Sequence, residues 1–122
     1  MAQPARDVQA DDHYLRVQLP EGDVEIVGNV LLLPGTDEPI RLAPGPLAVM
    51  RVLVKAQGAV ISREHLLQVL PHCGSEHALE MWVSRLRKSL PSTRMVQTVV
   101  KRGYRLALPP ASRTRLRADD AA

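Results

Sequence analysis

The spacing of apolar residues changes twice along the chain, and the order of those changes restricts the fold more than any single motif. The first part of the chain holds short apolar runs, YLRVQL, VEIVG, NVLLLP and EPIRLA, separated by PEGD, GN and PGTD. Runs of this kind, broken by turn-forming residues, predict a meander of antiparallel strands. From PGPLAVMRVLVKAQG onward the period becomes helical, with Leu47, Met50, Leu53 and Val54 on one face. Pro46 suits a first helical turn and Gly58 a stop. In the last part, MVQTVVKRGYRL returns to two short β-runs around a tip of Lys101, Arg102 and Gly103.

Two more helices lie between these regions. Ser62 is a good N-cap, Glu64 favours the first turn, and Leu66, Leu67 and Leu70 form the buried side up to Pro71. A short loop, PHCG, leads to Ser75 and a third helix, EHALEMWVSRLRKSL, stopped by Pro91. In that helix Leu79, Val83, Leu86 and Leu90 make one apolar stripe. His77, Met81, Ser84 and Lys88 point away from it, with Glu80 and Arg85 beside them. The expected fold class is therefore α+β: an N-terminal antiparallel β-meander, three helices and a C-terminal β-hairpin. A helix pair joined by a short turn and followed by a hairpin is a winged helix-turn-helix layout.

Residues 1–13 are polar and without period, and read as a flexible N-terminal extension or linker. Residues 109–122 begin with Pro-Pro and read as a disordered basic tail. The folded domain is then expected at 14–108.

Charge divides the chain in two. Residues 1–50 carry three basic side chains against eight acidic, and residues 51–122 carry thirteen against five. From Met81 to Ala118 there is no acid, while Arg85, Arg87, Lys88, Arg94, Lys101, Arg102 and Arg105 fall there together. A one-sided positive field suits a polyanion such as nucleic acid. The same pattern also describes a solvated basic face kept for solubility.

Several classes of function find no support. There are no paired carboxylates, no nucleophile beside a base, no phosphate-cradling glycine loop and no cofactor motif, so no catalysis is expected from these residues. His65, His72, Cys73 and His77 are close in sequence, but their spacing fits no common structural zinc set, and no metal is expected. Cys73 is the single cysteine, which excludes an intrachain disulfide and fits a reducing cytosol. No apolar run approaches the ~20 residues that span a bilayer, and the N-terminus does not read as a signal peptide. The expected location is cytoplasmic, with no membrane partner.

The segments ISREHLLQVL, MWVSRLRKSL and RMVQTVVKRGYRL, in that order, resemble the OmpR/PhoB-type winged-helix domain, the effector module of many bacterial response regulators. The match runs over about 23–108. VQTVVKRGYRLAL is also similar to a variant appended to uroporphyrinogen-III synthase-like domains in high-GC bacteria. The resemblance implies sequence-specific binding of double-stranded DNA, with the third helix in the major groove and the wing tip in the adjacent minor groove. It implies contacts from His77, Trp82, Ser84, Arg85, Arg87 and Lys88 on the helix and from Lys101 and Arg102 on the wing.

Further partners implied by the family are RNA polymerase, through the loop before the third helix, and an upstream receiver or enzyme domain. Two departures stand out. Ser84 occupies a position that is often Arg, and the wing reads Val-Val-Lys-Arg-Gly-Tyr where many relatives have Val-Arg-Gly-x-Gly-Tyr. Such departures leave a second expectation open, a protein-interaction module that docks an attached enzyme domain or an acidic partner without binding DNA.

Overall fold

The computed structural model describes residues 8–10, as backbone, and 14–109. Strands β1 (Val8–Ala10), β2 (Tyr14–Leu19), β3 (Gly22–Val27), β4 (Val30–Leu32) and β5 (Ile40–Arg41) form one antiparallel sheet in sequence order. Helices α1 (Pro44–Lys55), α2 (Arg63–Val69) and α3 (Glu76–Ser89) follow. A single 3-10 turn (Thr93–Met95) then leads into β6 (Val96–Val99) and β7 (Gly103–Leu106), which pair as a hairpin. The expected meander, three helices and wing are all present.

Alternation along β2 and β3 sets the two faces of the sheet. Leu15 pairs with Ile26 and Val17 with Val24, and all four are fully buried. The residues between them form a polar outer face held by diagonal contacts. Tyr14 donates its hydroxyl to Glu25 at 2.6 Å, and Arg16 meets Asp23 at 2.6 Å. The bond to Glu25 raises the Tyr14 pKa above its ordinary value, with desolvation adding to it.

The buried face of the sheet joins one cluster with Val49, Met50, Leu53 and Val54 of α1, Leu66 of α2, and Leu79, Val83 and Leu86 of α3. The core is aliphatic apart from Tyr104, as a chain without Phe requires.

Each helix start has a local cause. Ser62 accepts from the His65 amide at 3.0 Å, and Ser75 from the Ala78 amide at 3.1 Å, satisfying amides that lack a partner in the first turn. Glu64 and Glu76 occupy those first turns, and Arg87 and Lys88 the last turn of α3, each matched to the helix dipole. α1 begins at Pro44, two residues before Pro46. Both prolines fall where amides have no intrahelical acceptor, so neither costs a hydrogen bond.

Three departures from the sequence reading concern pairing. Residues 8–10, inside the stretch read as an extension, form a strand against β2, with Val8 opposite Val17 and Ala10 opposite Leu15. The remaining residues of that stretch, 1–7 and 11–13, and the tail at 110–122 lie outside the described residues. The hairpin tip is Val100, Lys101 and Arg102 rather than Lys101 to Gly103, because Gly103 already pairs with Val99 in the ladder. Ile61, the residue before the Ser62 cap and given no role by the sequence, bridges Tyr104: its amide donates to the Tyr104 carbonyl at 2.8 Å and the Tyr104 amide returns the bond at 3.0 Å. The wing is thus tied to the segment that starts α2.

Candidate nucleic-acid interface

The apolar stripe of α3 is buried as its spacing requires: Leu79, Val83, Leu86 and Leu90 all face the core. The opposite side is open. His77, Glu80, Met81, Ser84, Arg85 and Lys88 are exposed, and they follow one another along a helix of 14 residues, about 21 Å long. Such a rod, packed on one side and carrying donors on the other, has the dimensions of a major-groove reader.

Two of the side chains expected on that face are engaged inside the domain. Trp82 is half-buried, with its indole lying over Gly45 of α1. A Cβ on Gly45 would collide with the ring, at 2.6 Å from Nε1 and 2.7 Å from Cδ2. The absent side chain is what lets the start of α1 approach α3 this closely.

Arg87 is also half-buried. Its Nε donates to the Val96 carbonyl at 2.9 Å, and a terminal nitrogen donates to the Thr98 hydroxyl at 2.7 Å. Its guanidinium carbon stands 5.9 Å from the centre of the Tyr104 ring, and that of Arg63 stands 5.2 Å away. Arg87 therefore couples α3 to the wing.

The wing tip projects. The Arg102 amide donates to the Val99 carbonyl at 2.8 Å, closing a turn with Val100 and Lys101 at its centre. Lys101 has φ +62°, a left-handed conformation usually left to glycine at this point of a turn. Val100, Lys101 and Arg102 are exposed. Arg105, further down β7, is held by the Gly58 carbonyl at 3.2 Å and by Gln97 at 2.7 Å.

None of Arg85, Arg87, Lys88, Lys101, Arg102 and Arg105 has a carboxylate partner among the described residues, and only Arg87 and Arg105 spend their guanidinium groups on hydrogen bonds inside the domain. Six of the eight sequence-predicted residues, His77, Ser84, Arg85, Lys88, Lys101 and Arg102, are thus solvent-facing on two elements that Arg87 joins. The sequence reading did not find Arg63 stacked on Tyr104, nor the exposed Val100. A contact between residues 41 positions apart leaves no local pattern.

Among the described residues no three His, Cys, Asp or Glu side chains gather where a metal ion could sit. Cys73 is buried in the loop before α3, and no helix of the described residues is long and apolar enough to cross a membrane.

A helix-turn-helix with a hairpin wing and a basic outer side places the chain in the class of winged-helix domains. The family described as "Transcriptional regulatory protein, C terminal" matches residues 37–106, more than half of the chain, and the chain belongs to that family. Among solved structures it is similar to the DNA-binding domain of CadC from E. coli, with 27% identity and a TM-score of 0.57 over 66% of this chain and 80% of that one. The DNA-binding domain of the response regulator AdeR, in complex with an intercistronic region, shares the fold at 18% identity and a TM-score of 0.54, over 88% of this chain and 100% of that one. No curated protein sequence matches the chain.

Proposed function

We propose that this domain binds double-stranded DNA sequence-specifically as the effector of a bacterial transcriptional regulator, with α3 in the major groove and the wing tip in the adjacent minor groove. The observation that carries the proposal is the set of uncompensated cations on two projecting elements, Arg85 and Lys88 on α3 and Lys101 and Arg102 on the wing, held together by Arg87. Family membership and the likeness to the CadC DNA-binding domain support it.

In this reading Arg85 reads base edges, since its guanidinium can bond bidentately to guanine O6 and N7. Ser84 and His77 offer shorter polar contacts beside it. Lys88, Lys101 and Arg102 neutralise phosphates and set the register. Trp82 and Arg87 act through others: Trp82 fixes α3 on α1, and Arg87 fixes the wing on α3. No catalysis belongs to these residues. The domain works in the cytoplasm, where DNA is, coupled to a sensing or enzymatic domain elsewhere in its protein. The likeness of the wing to the variant attached to uroporphyrinogen-III synthase-like domains points to such a neighbour, and the family pattern points to RNA polymerase as the downstream partner.

Titration of duplex DNA at several salt concentrations tests the reading. Log K should fall linearly with log salt, with a slope corresponding to about four to seven phosphate contacts. Lys101→Ala combined with Arg102→Ala should weaken binding on every sequence, somewhat more on those with a narrow A·T minor groove, whereas Arg85→Ala should change the preferred bases under α3. Absence of binding to any duplex at low salt would overturn the proposal.

A further inference from the structure

The most exposed large apolar side chain among the described residues is at the apex of the wing. Val100 is 76% exposed, against 38% to 45% for Val27, Val69 and Met81. Hydrogen bonds on both sides hold it there. The Arg102–Val99 hydrogen bond closes the turn around it, and the bridge from Tyr104 to Ile61 anchors the strand behind it. Two uncompensated cations, Lys101 and Arg102, follow it directly. Whatever polyanion draws in those cations also receives the Val100 isopropyl group, which offers neither donor nor acceptor.

We propose that Val100 is a specificity-determining residue, an apolar probe of the minor-groove floor that selects A·T over G·C by excluding the guanine 2-amino group. The inference rests on the DNA-binding reading above. In the minor groove A·T and T·A present only acceptors, and G·C adds one protruding donor, the guanine N2 amine. A valine pressed against that amine displaces its water and returns no hydrogen bond, leaving a buried donor unsatisfied. Against adenine nothing protrudes, and the side chain fits. Narrow A·T-rich grooves also carry the stronger negative potential, so Lys101 and Arg102 favour the same sequences for a separate reason.

The two contributions separate chemically. A preferred duplex is first selected from a random pool by the domain. Each base pair is then altered singly, 2,6-diaminopurine replacing adenine to add the 2-amino group and inosine replacing guanine to remove it, with the major-groove edge unchanged in both. At the A·T pairs under the wing, diaminopurine should weaken wild-type binding about tenfold; where such a pair is first exchanged for G·C, inosine in place of the guanine should relieve the penalty by a similar factor. In Val100→Ser and Val100→Asn, whose side-chain oxygens can accept from the amine, both effects should shrink to about twofold or less.

Wild-type binding that is indifferent to both bases at every position would overturn the inference while leaving DNA binding intact. So would a full tenfold effect retained in both variants. Failure to select any duplex would instead overturn the DNA-binding reading itself.

Discussion

Arg87, near the end of α3, donates to the hydroxyl of Thr98 on the first strand of the wing at 2.7 Å, and so connects the two elements that carry the free cations. The same guanidinium holds the Val96 carbonyl and lies against the Tyr104 ring. Arg85, two residues earlier, points outward and touches none of these. The two arginines should therefore fail in different ways. Arg87→Ala should lower unfolding stability by about 1–3 kcal/mol, since it leaves the Val96 carbonyl and Thr98 without their charged donor. Arg85→Ala should change stability by less than about 0.5 kcal/mol, as surface substitutions do. Urea denaturation of both variants, beside DNA titration, checks this: Arg87→Ala should lose both stability and binding, and Arg85→Ala binding alone.

Lys101 sets stability against binding at one residue. Its φ of +62° is left-handed and costs a non-glycine residue about 1 kcal/mol. Lys101→Gly should raise unfolding stability by about 0.5–1 kcal/mol, less whatever freedom glycine adds to the unfolded chain. The same change removes one phosphate contact, so the slope of log K against log salt should fall by about one. Thermal unfolding and salt-dependent titration measured on one preparation would show a more stable domain that binds more weakly.

Trp82 is the only tryptophan, which makes its packing on Gly45 directly observable. Gly45→Ala puts a methyl group where the indole now lies. Relief requires the ring to move outward or α1 to shift, and overpacking of this kind costs about 1–3 kcal/mol. The expected result is a red-shifted, more quenchable tryptophan emission together with reduced stability. An unchanged spectrum would mean that Trp82 does not sit on α1.

Local features of the fold were legible in the sequence and long-range pairings were not. The α3 stripe from Leu79 to Leu90 is a consequence of helical period alone, and Ser62 and Ser75 mark helix starts through bonds to amides three residues on. The strand at Val8–Ala10 has too few residues to show alternation, and only its partner β2 makes it a strand. Arg87 follows Leu86 at the edge of the apolar stripe, where helical spacing allows it to face either solvent or a neighbouring element. The wing decides, and the wing is brought there by the Ile61–Tyr104 bridge, for which the sequence carries no signature. Val100 reads as one more apolar strand residue until the pairing of Val99 with Gly103 places it in the turn. For the candidate site this means that the exposed cations were identifiable from residue type and helical phase, whereas the side chains that orient them were not.

Gly103 is the residue on which this arrangement is most sensitive. It has φ +143°, and a Cβ there would collide with the Ile61 carbonyl oxygen, 2.7 Å from the carbonyl carbon and 2.8 Å from the Ser62 Cα. All three are backbone atoms at the start of α2, so no side-chain rotation gives relief. Gly103→Ala must either push the wing away from α2 or break the Ile61–Tyr104 bridge, and it adds an unfavourable φ to both. The expected loss is about 3 kcal/mol or more, at the upper end for a single substitution. Where the rest of the domain survives, the damage should be confined to the wing. Amide exchange at Ile61 and Tyr104, whose amides donate to each other's carbonyls, should then accelerate while that at Leu79 and Val83 in α3 stays slow. Exchange at Ile61 and Tyr104 as slow as in the wild type would show that the wing is not held by that bridge.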